Sequence, residues 1–159
     1  MKRTIILLSL LLIATTQIFS QKKDQVKSFQ ELMDYLTAGH TVNTVLHYAK
    51  CKLEVDGEIQ EESVDAIGGM PMNVYEYFSK DLFGNKHAFV STSQTKLIEN
   101  PLGKGYVYNY VKIKIYDNNK VDVIARYLKP DTREETMSET FHGKINDGEN
   151  GAGVYLYGN

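Results

Sequence analysis

Hydrophobic and polar positions follow three successive patterns along this chain. Ile5 to Ile13 form an apolar run broken only by Ser9, directly after Lys2 and Arg3. From Ser28 the period is helical: Phe29, Leu32, Met33 and Leu36 fall on one face of a helix. Ser28 and Glu31 fit the Ser-x-x-Glu capping box, and Gly39 stands where such a helix would stop. After Gly39 the period is two. Val45, His47, Ala49, Cys51, Leu53 and Val55 alternate with Leu46, Tyr48, Lys50, Lys52 and Glu54, which predicts a half-buried strand with the charges facing water. Further strands are predicted at 73–80, 87–98, 106–116, 121–128, 134–145 and 152–158, with an acidic loop at 56–69. "DNNK" (Asp117 to Lys120) predicts a tight hairpin, because Asn tolerates positive φ.

The expected fold class is therefore α+β, mainly β: an N-terminal helix followed by an antiparallel meander of about seven strands. One helix cannot cover so many strands on a flat sheet. Strong curvature, tending to a barrel-like sheet with the helix on an opening or a face, is the expectation.

The opening segment has the layout of a secretory signal peptide: basic start, short apolar run, and Ser20 before Gln21. The run is too short to span a bilayer without Ala14, Thr15, Thr16 and Gln17. Residues 1–20 are read as the signal, 21–27 as a flexible polar lead, and 28–159 as a single domain. The protein is expected to be exported, periplasmic or secreted, with no membrane anchor after cleavage. Cleavage removes Lys2 and Arg3, leaving 16 basic residues against 20 acidic ones, a net of −4. Nucleic acid, bound largely through phosphate neutralisation, is not an expected partner.

Candidate chemistry is sparse. Cys51 is the only cysteine, and its predicted face, shared with Leu53 and Val55, makes it a buried structural thiol. His47, on the same predicted face, would lie about 13 Å away along a strand, too far to activate it. His47 itself reads as a core histidine. His40, His47, His87 and His142 form no metal-ligand spacing. "DGENG" and "YDNN" lack the pattern of a calcium loop and suit turns. No phosphate loop or hydrolase motif occurs, so no cofactor or metal is expected. Glu76 shares a face with Val74 and Phe78, where an inward carboxylate would be costly unless paired. The chain has 11 tyrosines and no tryptophan. Tyr106, Tyr108 and Tyr110 share the face of Lys112 and Lys114, opposite Val107, Val111, Ile113 and Ile115. They read as a solvent-facing stripe, suited either to binding or to cross-strand pairing.

"LMDYLTAGHTVNTVLHYAKCKL" (Leu32 to Leu53) resembles the opening of VirK-type proteins. "AIGGMPMNVYEYF" (Ala66 to Phe78), "KIYDNNKVDVIARYLKP" (Lys114 to Pro130) and "ETFHGKINDG" (Glu139 to Gly148) continue the resemblance in order. It covers nearly all of the expected mature chain, and implies an exported protein of a virulence-associated name without an established activity. Such proteins commonly carry a second cysteine late in the chain, after Thr/Ser-Phe. Here that place reads Phe141-His142, so the resemblance implies that Cys51 is the orphaned half of a lost disulfide.

Two functions follow from these readings. The first is a non-enzymatic binding or interaction module for a small molecule or protein, with Tyr106, Tyr108, Tyr110, His47 and Glu76 as candidate contacts. The alternative is an enzyme built around His47, Glu76 or His142. Convergence of His47 or Glu76 with other polar groups in a closed pocket would favour the enzyme. An aliphatic interior would put the binding surface outside.

Overall fold

The computed structural model describes residues 24–158. The expected signal segment and residues 21–23 of the lead lie outside the described residues.

Helix α1 (Phe29–Thr37) forms as its sequence predicts. Ser28 Oγ accepts from the Glu31 N–H at 3.2 Å, and Glu31 reaches back to the Lys27 N–H at 2.7 Å. Gly39, at φ 81°, ends the helix, and Phe29, Leu32 and Leu36 are buried. Ahead of it, Asp24–Val26 is a strand, β1, where a flexible lead was expected. Val26 is fully buried, which ties this segment to the core.

The remaining strands are β2 (Val42–His47), β3 (Lys52–Val55), β4 (Glu58–Ile59), β5 (Ile67–Pro71) and β6 (Glu76–Phe78), followed by β7 (Phe89–Glu99), β8 (Tyr106–Tyr116), β9 (Lys120–Leu128), β10 (Glu135–Lys144) and β11 (Val154–Gly158). They form two antiparallel sheets, one ordered β1-β11-β2-β5 and the other β4-β3-β10-β9-β8-β7-β6. The meander is present from β6 to β10. The expected barrel-like closure is not: neither sheet closes or curls strongly. A second sheet supplies the cover that curvature was expected to provide. Buried residues of both sheets and of α1 form one core, with Leu32, Leu46, Leu156, Ile113, Val123 and Phe141 among them.

The predicted 45–55 strand is two strands in different sheets. A 3₁₀ turn, Tyr48–Lys50, lies between them. This turn changes the strand phase by one residue. Before it, Val42, Thr44 and Leu46 are buried; after it, Cys51 and Leu53 are buried. His47 is therefore not a core histidine. It lies on the opposite side of β2 from Leu46, with its ring 5.1 Å from that of Tyr155. Thr44 takes the interior place without penalty, because its hydroxyl bonds the Met70 carbonyl at 2.9 Å.

The β8–β9 hairpin matches its prediction. Asn119 adopts φ 63°, and its side chain accepts from the Phe29 N–H at 2.8 Å, joining the turn to the start of α1. At the other end of the helix, the Tyr75 hydroxyl donates to the Leu36 carbonyl at 2.9 Å. In β5, a Cβ at Gly69 would stand 2.6 Å from the Thr44 carbonyl oxygen, so only glycine allows β2 and β5 to approach this closely.

Candidate functional site

Long strands with period-two patterning give the seven-stranded sheet two different faces. Val107, Ile113 and Ile115 of β8 are buried, as are Val121 and Val123 of β9 and Phe141 of β10. On the reverse side the ladder brings Tyr110 opposite Thr95 and Arg126, and Tyr108 opposite Leu97 and Leu128. Tyr106 is 64% exposed and Leu97 55%. The guanidinium of Arg133 lies over the Tyr108 ring, 4.4 Å from its centroid. Arg126 pairs with Glu135 at 3.2 Å. The result is an outward aromatic and aliphatic patch bordered by cationic side chains.

Glu76 is exposed on the edge strand β6, so its carboxylate does not enter the core. With Tyr110, Lys112 and Ser91 it lines a shallow groove of about 250 Å³ on this same face. The structure thus brings Glu76 and Tyr110 together and leaves His47 on the other sheet.

His142 occupies a cluster assembled from four strands. Its Nδ1 is 2.8 Å from Asp122 Oδ1, and its Nε2 is 3.0 Å from Glu54 Oε2. The Tyr116 hydroxyl donates to Asp122 Oδ2 at 2.8 Å. Partial burial alone would lower the imidazole pKa, but the hydrogen bonds and charges of Asp122 and Glu54 outweigh it and raise the value. Both ring nitrogens are engaged, so His142 presents neither to a substrate as a base. Burial first, and then the bond to Asp122, push the Tyr116 hydroxyl pKa upward. His142 and Glu76 lie in one cross-strand row, four ladder steps apart through Ser91, Lys114 and Asp122. At the usual strand spacing they are roughly 19 Å apart. His47, Glu76 and His142 therefore do not form one site.

The cluster predicts a pH dependence. A pKa raised on folding gives stability that is complete below the unfolded value, about 6.5, and is lost as pH rises through the folded value. The stability gap between the protein and its His142→Gln variant should be widest in mild acid and narrow toward alkaline pH. Urea midpoints across a pH series measure this. A gap that does not change with pH would contradict the charged-cluster account.

Cys51 is 7% exposed, with Sγ 3.7 Å from the His47 carbonyl oxygen. Burial pushes its thiol pKa up, away from nucleophilic thiolate. The expected burial holds, although the phase change at the 3₁₀ turn produces it. Labelling by a thiol reagent should be slow in native buffer and fast in denaturant. Cys51→Ser should destabilise by about 1–3 kcal/mol, because a hydroxyl there loses hydration. Equal labelling rates in the two buffers would overturn the burial.

Between the sheets, a cleft of about 200 Å³ is lined by Tyr48, Gly68, Lys96 and Asn109, among others. It is smaller than the roughly 300–1,000 Å³ of typical ligand pockets. Among the described residues, the core shared by the two sheets and α1 is built mainly of aliphatic side chains, with Phe29 and Phe141. Among the described residues, no group of three His, Cys, Asp or Glu side chains is placed to hold a metal ion.

This mainly β, two-sheet arrangement defines a known structural class. It is similar to the crystal structure of a VirK family protein from Legionella pneumophila, with a TM-score of 0.62 and 18% identity, covering 83% of this chain and 97% of that one. At that identity the likeness is one of fold. A family model described as VirK protein matches residues 25–133. The chain belongs to the VirK family. No curated protein sequence matches it.

Proposed function

We propose that this VirK family member is an exported, non-enzymatic interaction module that binds a protein partner through the tyrosine face of its seven-stranded sheet. The observation that carries the reading is the two-sided β8 strand. Its aliphatic side is spent in the core, while Tyr106, Tyr108 and Leu97 remain outside beside Arg133 and Leu128. Tyrosine and arginine are the side chains that most often anchor protein interfaces, and aromatic rings supply large contact area at little entropic cost. A broad shallow face suits a protein surface better than a small molecule.

Export rests on the basic n-region and short apolar run, and predicts a protein in the cell that begins at or near Gln21. Intact-mass measurement of protein purified from cells tests this. A full-length mass would sink it. For binding, the exported fraction is passed over immobilised protein and over its Tyr108→Ala variant, and native mass spectrometry reads the complexes. A stoichiometric partner held by the first and weakened by roughly 1–3 kcal/mol in the second supports the face. A partner held equally by both places the contact elsewhere.

A further inference from the structure

The outward face of the same sheet carries a second feature, at the end remote from Tyr106. Lys120 and Lys144 stand directly opposite each other in the β9–β10 ladder, and Lys52 stands opposite His142 in the β3–β10 ladder. Lys50 joins them from the 3₁₀ turn. The four lysines, with Gly143 and Ala152, line a hollow of about 360 Å³. Like charges directly opposite on an antiparallel pair are destabilising, so the Lys120–Lys144 pairing costs free energy. None of the four takes part in the ion pairs found among the described residues, although Lys50 Nζ lies 3.5 Å from the Tyr155 hydroxyl. The nearby carboxylates, Asp122 and Glu54, are both directed at His142. This concentration of positive charge occurs in a chain whose overall balance is −2.

One wall of the hollow is held in place by its own bonds. Asn146 is 5% exposed, donates to the Ala152 carbonyl at 2.7 Å and accepts from the Gly148 N–H at 2.9 Å. Gly153 seats this loop on the 3₁₀ turn, where a Cβ would fall 2.9 Å from Lys50 Cβ.

We propose that this hollow binds the phosphate group of a phosphorylated solute or lipid headgroup, held between Lys120 and Lys144 and flanked by Lys50 and Lys52. A monovalent carboxylate would leave most of the charge uncompensated, whereas a phosphate monoester carries close to two negative charges at neutral pH. Lysine ammonium groups serve phosphate as movable point charges. The volume exceeds that of phosphate alone and leaves room for the group that carries it. This site is independent of the tyrosine face and uses none of its residues.

The test follows backbone amide shifts while the protein is titrated with inorganic phosphate and with a sugar monophosphate. In parallel, protein recruitment is measured on phosphatidylcholine vesicles with and without phosphatidic acid. Saturable shifts at Lys120, Gly143, Lys144 and Ala152 are expected. In Lys120→Gln/Lys144→Gln the affinity should fall roughly tenfold. The control Lys96→Gln/Lys104→Gln, which removes as much charge elsewhere, should keep it. Relief of the like-charge pair should leave the first variant at least as stable as the parent without ligand, so loss of folding does not confuse the result. Saturable binding of the soluble probes identifies a free phosphorylated solute. Recruitment only by phosphatidic acid, lost in the first variant, identifies a lipid headgroup. Equal weakening in both variants, or no saturable response to any probe, overturns the proposal.

Discussion

Gly143→Cys is expected to close a disulfide with Cys51 and to stabilise the protein by about 2–4 kcal/mol under oxidising conditions. The β3–β10 register places Lys52 opposite His142, which brings Cys51 beside position 143. A Cβ at Gly143 would lie 4.0 Å from Cys51 Cβ and 3.0 Å from its Sγ. Disulfides span Cβ atoms about 3.5–4.5 Å apart. Val154 Cγ2, 3.1 Å from that Cβ, must give by a few tenths of an ångström. The bridge would join positions 92 apart in sequence, 143 − 51, a separation at which constraint of the unfolded chain is large. The family resemblance implies a lost partner for Cys51 near Phe141-His142. Phe141 packs on Tyr48, with ring centroids 4.5 Å apart, and His142 points outward to its carboxylates. Gly143 is the neighbour that faces the thiol. Free-thiol titration and urea midpoints with and without reductant decide the matter. Two titratable thiols after oxidation, or a midpoint indifferent to reductant, would refute the geometry.

The long strands β8, β9 and β10 were legible because each has a dry side and a wet side over nine or more residues. Alternation over that length leaves one register. β1 and β4 have three and two residues, too few to show a period, and β5 is interrupted by Gly68 and Gly69. Without a signal for β1 and β5 the four-stranded sheet is not legible in the sequence, and the number of strands alone points to curvature. The alternation of Lys50, Lys52 and Glu54 does not extend back into β2, because the 3₁₀ turn at Tyr48–Lys50 resets the phase. The tyrosine face needed only the β8 alternation. The His142 cluster needed the pairing of β3, β9 and β10, and the lysine hollow needed that pairing together with the 3₁₀ turn. No spacing along the chain encodes the contact between Glu54 and His142, which are 88 positions apart.

The second large effect separates the two sides of β8. Ile113 is fully buried, with Thr92 and Val123 as its ladder neighbours. Ile113→Ala removes packed methylenes where a close-packed core cannot collapse fully, so a loss of about 2–5 kcal/mol is expected. Tyr108 is half-buried on the other side. Its replacement by alanine removes the stacked Arg133 and the cross-strand contacts with Leu97 and Leu128. At an exposed site these contribute about 0.5–1 kcal/mol for the cation–π contact and about 0.2–1 kcal/mol per cross-strand pair. The two variants should therefore separate clearly in urea denaturation, with similar slopes, and Tyr108→Ala should keep most of its stability while losing the partner. If Tyr108→Ala proves as costly as Ile113→Ala, the ring supports the fold and the outer face is not free to bind. If it costs little and the partner is still held, the tyrosines only pair across strands. Low stability cost with lost binding is the combination that a contact surface requires. The core already holds the other side of the strand through Val107, Ile113 and Ile115, which is why the smaller stability cost is expected for Tyr108→Ala.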